Sequence, residues 1–279
     1  MYYDFFCNEK MLLDHFEDYG MGNRTLNRLL AQSGMPPDVC ADTYLAKMDN
    51  HKGLSYDRYD LVLDFERRCT KESRLLELDK ILVYRQDIDY IKDCCRKYPL
   101  RQNEVLVLFG VIMMCRILQT DTLDLTTEFA LKQFCSCFDG KLCKVRIRTD
   151  NWYDTYHEPK HMNNLHEKYN ILLRTPCESG PRKIGSYYTY LNYELHDKTV
   201  AYEYVITPRT NRLNMCELFE KVGLKNLRFC KQCGTEYYMS SKTTNYCPNC
   251  AAKIQLEKTK ERMKRYRNRK KVTGLGQKS

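Results

Sequence analysis

The stretch FCKQCGTEYYMSSKTTNYCPNCAAKIQLEKTKERMKRYRNRKK, residues 229–271, decides how the C-terminal part of the chain is read. It holds Cys230-x2-Cys233, thirteen intervening residues, and Cys247-x2-Cys250. A CxxC pair puts two thiolates on one tight knuckle, each able to reach a single ion at ~2.3 Å. Two knuckles complete a tetrahedral shell with no position left for water. The spacing therefore predicts one structural Zn2+ held by Cys230, Cys233, Cys247 and Cys250, with no catalytic role. The plainer alternative is four ordinary buried cysteines spaced by chance.

The surrounding residues extend this reading. Gly234 follows the first pair, where a residue without Cβ can turn left-handed and close the knuckle. Tyr237, Tyr238 and Met239 fit a short strand, and 240–245 a polar loop. Pro248 suits the first turn of a helix, and Ala251, Ala252, Lys253, Ile254, Gln255 and Leu256 continue it. Glu257–Lys260, Glu261–Lys264 and Glu261–Arg265 sit at helical spacings that support further turns. A second knuckle running into a helix predicts a treble-clef-like module more than a two-hairpin zinc ribbon.

Charge concentrates on that helix. The chain carries 46 Lys+Arg and 36 Asp+Glu, a net +10. Residues 253–279 hold eleven basic and two acidic side chains, +9, which leaves +1 for residues 1–252. The body is nearly neutral and the tail is cationic. A block of one sign is an interaction segment, with nucleic acid phosphate its commonest partner and anionic lipid or acidic protein surfaces behind. The expected phosphate contacts are Lys258, Lys260, Arg262, Lys264, Arg265, Arg267, Arg269, Lys270 and Lys271. The plainer alternative is a solubilising extension.

The 229–271 stretch resembles the C-terminal zinc modules of uncharacterised proteins from Gram-positive bacteria and their mobile elements. Those also end in a CxxC pair, a short hairpin, a YCxxC pair and a basic helix. The resemblance implies that Cys230, Cys233, Cys247 and Cys250 are zinc ligands and that the source is a bacterial mobile element. It lends no reaction.

Cysteine usage agrees with metal binding. Fifteen Cys, an odd number, fit metal binding and free buried thiols better than a disulfide framework. The first residues, MYYDFFCNEK, carry acids and lack a positive lead into an apolar run, so no secretory signal is expected. The longest apolar run, 105–115, is far short of the ~20 residues that span a bilayer. A cytoplasmic chain with no membrane partner is the expectation.

Residues 1–140 read as a mainly helical domain. A short helix is expected at 25–32, closed near Gly34 and broken by Pro36-Pro37. Apolar residues at helical spacing over 61–98 predict two helices, stopped by Pro99. Asn103 suits the cap of a buried helix over 104–118. Thr126 or Thr127 suits the cap of another that reaches about Phe138, with Gly140 ending it.

Residues 141–206 change period. Lys144, Arg146 and Arg148 alternate with Cys143, Val145 and Ile147, a strand with one basic face. That face suits phosphate contact and suits equally a charged edge strand protected from aggregation. Two Tyr- and Val-rich runs, 187–195 and 199–206, flank His196-Asp197-Lys198 and predict a hairpin. A helix over 211–222 ends at Gly223. This order suggests a small winged-helix-like unit, an analogy at the level of fold. The Tyr cluster (Tyr187, Tyr188, Tyr190, Tyr193, Tyr202, Tyr204) is read as sheet packing before base stacking.

Two other motifs carry chemistry in principle. His157-Glu158-Pro159-Lys160-His161 spells H-E-x-x-H, the zinc metalloprotease string, which needs both His one turn apart on a helix. Pro159 lies inside that turn, and no third ligand follows at the usual spacing, so a zinc hydrolase is a remote alternative. Cys135, Cys137 and Cys143 form a poorer knuckle, and buried packing accounts for them. Cys94-Cys95 likewise reads as packing.

The sequence therefore predicts an α+β protein in four parts: the helical domain 1–140, a hairpin-containing α/β region 141–224, a four-cysteine zinc module 225–254 and a basic helical tail 255–279. The expected function is non-enzymatic nucleic-acid binding, DNA before RNA, in replication, recombination or regulation. The alternative is an interaction protein whose tail docks on an acidic partner.

Overall fold

Helix α6 (Gln102–Ile117) fixes where the core sits. Its run from Val105 to Cys115 is apolar on every face, and every one of those residues is buried. A helix apolar all round must be enclosed by other elements, and here protein encloses it. Glu104, also buried, reaches back to accept from the Arg101 backbone N–H at 2.8 Å and takes a second bond from Asn164 Nδ2 at 2.7 Å. The helix thus begins one or two residues before the expected Asn103 cap, with Glu104 satisfying its first turn. Gly110 lets the Phe138 ring pack directly on the helix backbone.

The computed structural model describes residues 5–20, 22–48, 57–125, 128–138, 160–176, 187–191, 199–239 and 245–275. Among them, no helix is long and apolar enough to cross a membrane. The expected strand carrying Lys144, Arg146 and Arg148 lies outside the described residues, as do Cys143, Tyr193, His157 and Glu158. The architecture is mixed, with helices and small antiparallel sheets.

Four N-terminal helices enclose a core of their own: α1 (Glu9–Asp14), α2 (Asn23–Gln32), α3 (Pro37–Met48) and α4 (Arg58–Arg68). Leu26, Leu29 and Leu30 give α2 its buried stripe, and Tyr44 and Phe65 meet edge-to-face across α3 and α4. Gly34 ends the α2 connection at φ +78°, where a Cβ would lie 2.8 Å from the Ser73 backbone nitrogen. Pro37 then opens α3, because a proline at the first helical position forfeits no intrahelical bond.

The periodicity over 61–98 is only partly helical. Helices α4 and α5 (Arg85–Lys97) flank a strand, β1 (Lys80–Tyr84). The run Ile81-Leu82-Val83 satisfies either period, and a short apolar run is ambiguous until a partner is present. The partner is β5 (Val200–Val205), antiparallel, with Ile81 opposite Tyr204 and Val83 opposite Tyr202. A second sheet joins β2 (Thr122–Asp124), β4 (Tyr187–Leu191) and β3 (Leu172–Pro176) in the order β2-β4-β3.

This arrangement corrects the winged-helix-like hairpin. Among the described residues, the strands over 187–191 and 200–205 lie in different sheets and do not pair with each other, while the expected turn at His196-Asp197-Lys198 lies outside them. Alternating Tyr and Val residues make a strand favourable without choosing its neighbour. Of the Tyr cluster, Tyr204 is buried in the main core and Tyr202 packs against it, which is the packing role.

Helix α7 (Glu128–Ser136) supplies Phe134, and Cys135 and Cys137 are buried in the main core beside it. Helix α8 (Lys160–Asn163) continues into a wide turn over Asn164–Lys168. Helix α9 (Met215–Lys221) is capped by the Asn214 side chain, and Gly223 closes it at φ +74° as expected. The main core runs from Phe5 to Leu227 and so crosses residue 140. Asp87 and Arg116 join α5 to α6 inside it. Asp87 is fully buried, accepts from Arg116 Nη2 at 2.8 Å and Nε at 3.2 Å, and the guanidinium lies 4.4 Å from the Tyr84 ring centre.

Candidate functional site

Strands β6 (Leu227–Phe229) and β7 (Glu236–Tyr238) form a hairpin whose connection is the first cysteine knuckle. The turn closes through Gly234 N–H to Cys230 O at 2.8 Å and Cys230 N–H to Thr235 O at 2.9 Å. Gly234 takes φ +70°, the left-handed conformation that its position demands. Lys231 N–H donates to Asn245 O at 3.1 Å and ties the first knuckle to the approach of the second. The second knuckle opens α10 (Pro248–Leu275), with Ala251 N–H donating to Cys247 O at 2.9 Å.

These connections bring Cys230, Cys233, Cys247 and Cys250 together, with all four sulfurs within 4.8 Å of one another. The Sγ atoms of Cys233 and Cys247, one from each knuckle, are 3.7 Å apart. A regular tetrahedron with ~2.3 Å metal–sulfur bonds has edges of about 3.8 Å, which the Cys233–Cys247 separation matches. Cys230, Cys247 and Cys250 are buried and pack with Tyr237 as a small separate core.

The electrostatics also fit a cation. Burial opposes ionising Cys230, yet the backbone N–H groups of Cys247, Cys233 and Gln232 together bring its thiol down to about 6. The Thr235 side chain, 3.2 Å from Cys233 Sγ, and the Thr235 backbone lower the Cys233 thiol. Cys250 is pushed up to about 12, first by the neighbouring Cys233 side chain and then by burial. Collecting four thiolates in one pocket needs a positive ion among them. Donor type, count and spacing are compatible with one zinc ion. Among the described residues, no other group of His, Cys, Asp or Glu gathers in this way.

The hairpin is anchored to the body. Leu227 enters the main core, and Arg228 Nη1 donates to Leu100 O at 2.6 Å. Lys92 of α5 pairs with Glu236 at 3.0 Å, and the Arg96 guanidinium lies 4.9 Å from the Phe229 ring centre. None of these partners was visible in the sequence, because each joins residues more than a hundred positions apart. Thr235 was within reach, as a hydroxyl two residues beyond the second cysteine.

Beyond the knuckle, α10 stands away from the body. Every residue from Gln255 to Arg269 is exposed. Lys258, Lys260, Arg262, Lys264, Arg265, Arg267 and Arg269 all lie on this helix, whose backbone continues through Lys270 and Lys271. Glu261 and Arg265 pair at 3.8 Å, one turn apart as predicted. The helix is 28 residues long, about 42 Å at ~1.5 Å per residue. Of the H-E-x-x-H string, His161 is placed in α8 and belongs to no group of three or more metal-ligating side chains among the described residues.

In comparison with known proteins, the chain matches no family model, no curated protein and no solved structure.

Proposed function

We propose that this is a non-enzymatic zinc protein that binds nucleic acid, duplex DNA before RNA, through helix α10. Zinc folds residues 228–254 and holds the start of the helix. Cationic side chains beyond it neutralise phosphates. The observation that carries this reading is the unbroken exposure of residues 255–269 on a helix rooted in the four-cysteine cluster. A cationic segment on a rigid base loses less conformational freedom on binding than a disordered one, so more of its electrostatic attraction survives as affinity.

The test is a shift assay with the full chain and random-sequence duplex and single-stranded DNA at low salt, repeated as salt is raised. A shift that weakens steeply with salt supports the reading. No shift with either DNA overturns it and favours docking on an acidic protein.

A further inference from the structure

The exposed helix is not uniformly cationic. At 3.6 residues per turn, positions four, three and four apart fall in line, and α10 carries four such lines. Leu256, Thr259, Met263 and Tyr266 form one. Its large members, Leu256, Met263 and Tyr266, are exposed to 56%, 48% and 55%. Lys253, Lys260, Lys264 and Arg267 form the flank on one side. Lys258, Arg262, Arg265 and Arg269 form the flank on the other. Glu257, Glu261 and Asn268 occupy the line opposite the apolar one. The positions from 255 to 269 are all exposed.

An apolar line between two cationic lines has a specific complement. The major groove of duplex DNA is about 12 Å wide, offers base edges and thymine methyl groups at its floor, and has a phosphate backbone on each wall. A helix with side chains is about 10–12 Å across and fits that width. We infer that α10 lies in the major groove, with Leu256, Met263 and Tyr266 against the base edges and one basic flank on each strand. Glu257 and Glu261 then face solvent, away from both backbones. This rests on the nucleic-acid reading above and narrows it, because the deep, narrow major groove of duplex RNA does not admit such a helix.

Charge separates this occupant from others. A second copy docked on the apolar line would bring like-charged flanks together. A membrane surface calls for a broad apolar face, and three large side chains over three turns form only a narrow one.

The test is dimethyl sulfate footprinting of a mixed-sequence duplex bound by the full chain. Guanine N7 lies in the major groove and adenine N3 in the minor groove. Protection of N7 with N3 left reactive is the expected result. Replacing thymine by uracil removes a major-groove methyl and is expected to weaken binding about fourfold per contacted base. The L256A/M263A/Y266A variant is expected to lose that thymine preference while keeping its salt dependence. Alanine preserves helix propensity, and circular dichroism checks that the helix remains. A bound duplex with N7 fully reactive overturns the groove placement while the nucleic-acid reading stands. Failure to bind any nucleic acid, with or without binding to phosphatidylserine vesicles, overturns both.

Discussion

The sulfurs of Cys233 and Cys247 lie 3.7 Å apart, although the two residues are 14 positions apart and belong to different knuckles. That separation matches the edge of about 3.8 Å that a four-thiolate zinc site requires, and it links a β-hairpin docked on the body to the start of α10. The module's own core is only Cys230, Tyr237, Cys247 and Cys250, so the ion is expected to supply much of the local folding energy.

Cys247→Ser tests that dependence. The variant is expected to lose order around residues 228–254 while the main core, which lies elsewhere, stays folded. Limited proteolysis should show new cleavage within the hairpin and an intact body fragment. Unchanged cleavage in this segment would separate the module's fold from its cysteines.

Deleting residues 253–279 should flatten the salt dependence of DNA binding. Each phosphate neutralised contributes about −0.9 to the log–log slope on duplex DNA. Titrations at several salt concentrations measure the slope for both proteins. An unaltered slope would move the binding surface to the body.

Asp87→Ala should destabilise the body by about 3–5 kcal/mol, because it leaves the Arg116 guanidinium inside the protein without its carboxylate. Urea unfolding reads the loss. The D87L/R116M double variant should recover part of it, since apolar replacement removes both charges together. A single variant as stable as the parent would show that the pair is solvated.

Gly110→Ala addresses the packing of α6. A Cβ there would collide with Phe138 Cζ, and that ring is itself buried against Phe134. Overpacking of this kind costs about 1–3 kcal/mol. Thermal unfolding should shift downward, and an unchanged midpoint would mean the ring moves freely.

Cys7 and Cys115 give a chemical test of burial. Desolvation pushes both thiols up to about 12, so at pH 7 to 8 they stay protonated and poor nucleophiles. Iodoacetamide should leave both unmodified in the native protein and label them once urea unfolds it. Rapid native labelling of either would contradict their enclosure.

The C-terminal module was legible because its determinants are local. Two CxxC pairs, Gly234 at the turn and Pro248 at the helix start all act within about four residues of one another's knuckle, and each lies where the spacing put it. The buried helix over 102–117 was equally plain from its apolar run. Sheet pairing was not. Strand β4 finds partners at 122–124 and 172–176, and β5 finds one at 80–84, so among the described residues the two strands do not pair with each other despite their closeness in sequence. Alternation marks a strand and its faces, while partner choice depends on how distant elements pack. The Asp87–Arg116 pair was hidden for the same reason, since charged residues on amphipathic helices are ordinarily solvated.

Metal content of the purified full chain, measured by elemental analysis together with amide exchange across residues 228–254, tests the central claim most directly. The account predicts one zinc per chain and protection in that segment that vanishes when a chelator strips the ion. A metal-free protein with the same protection would contradict it.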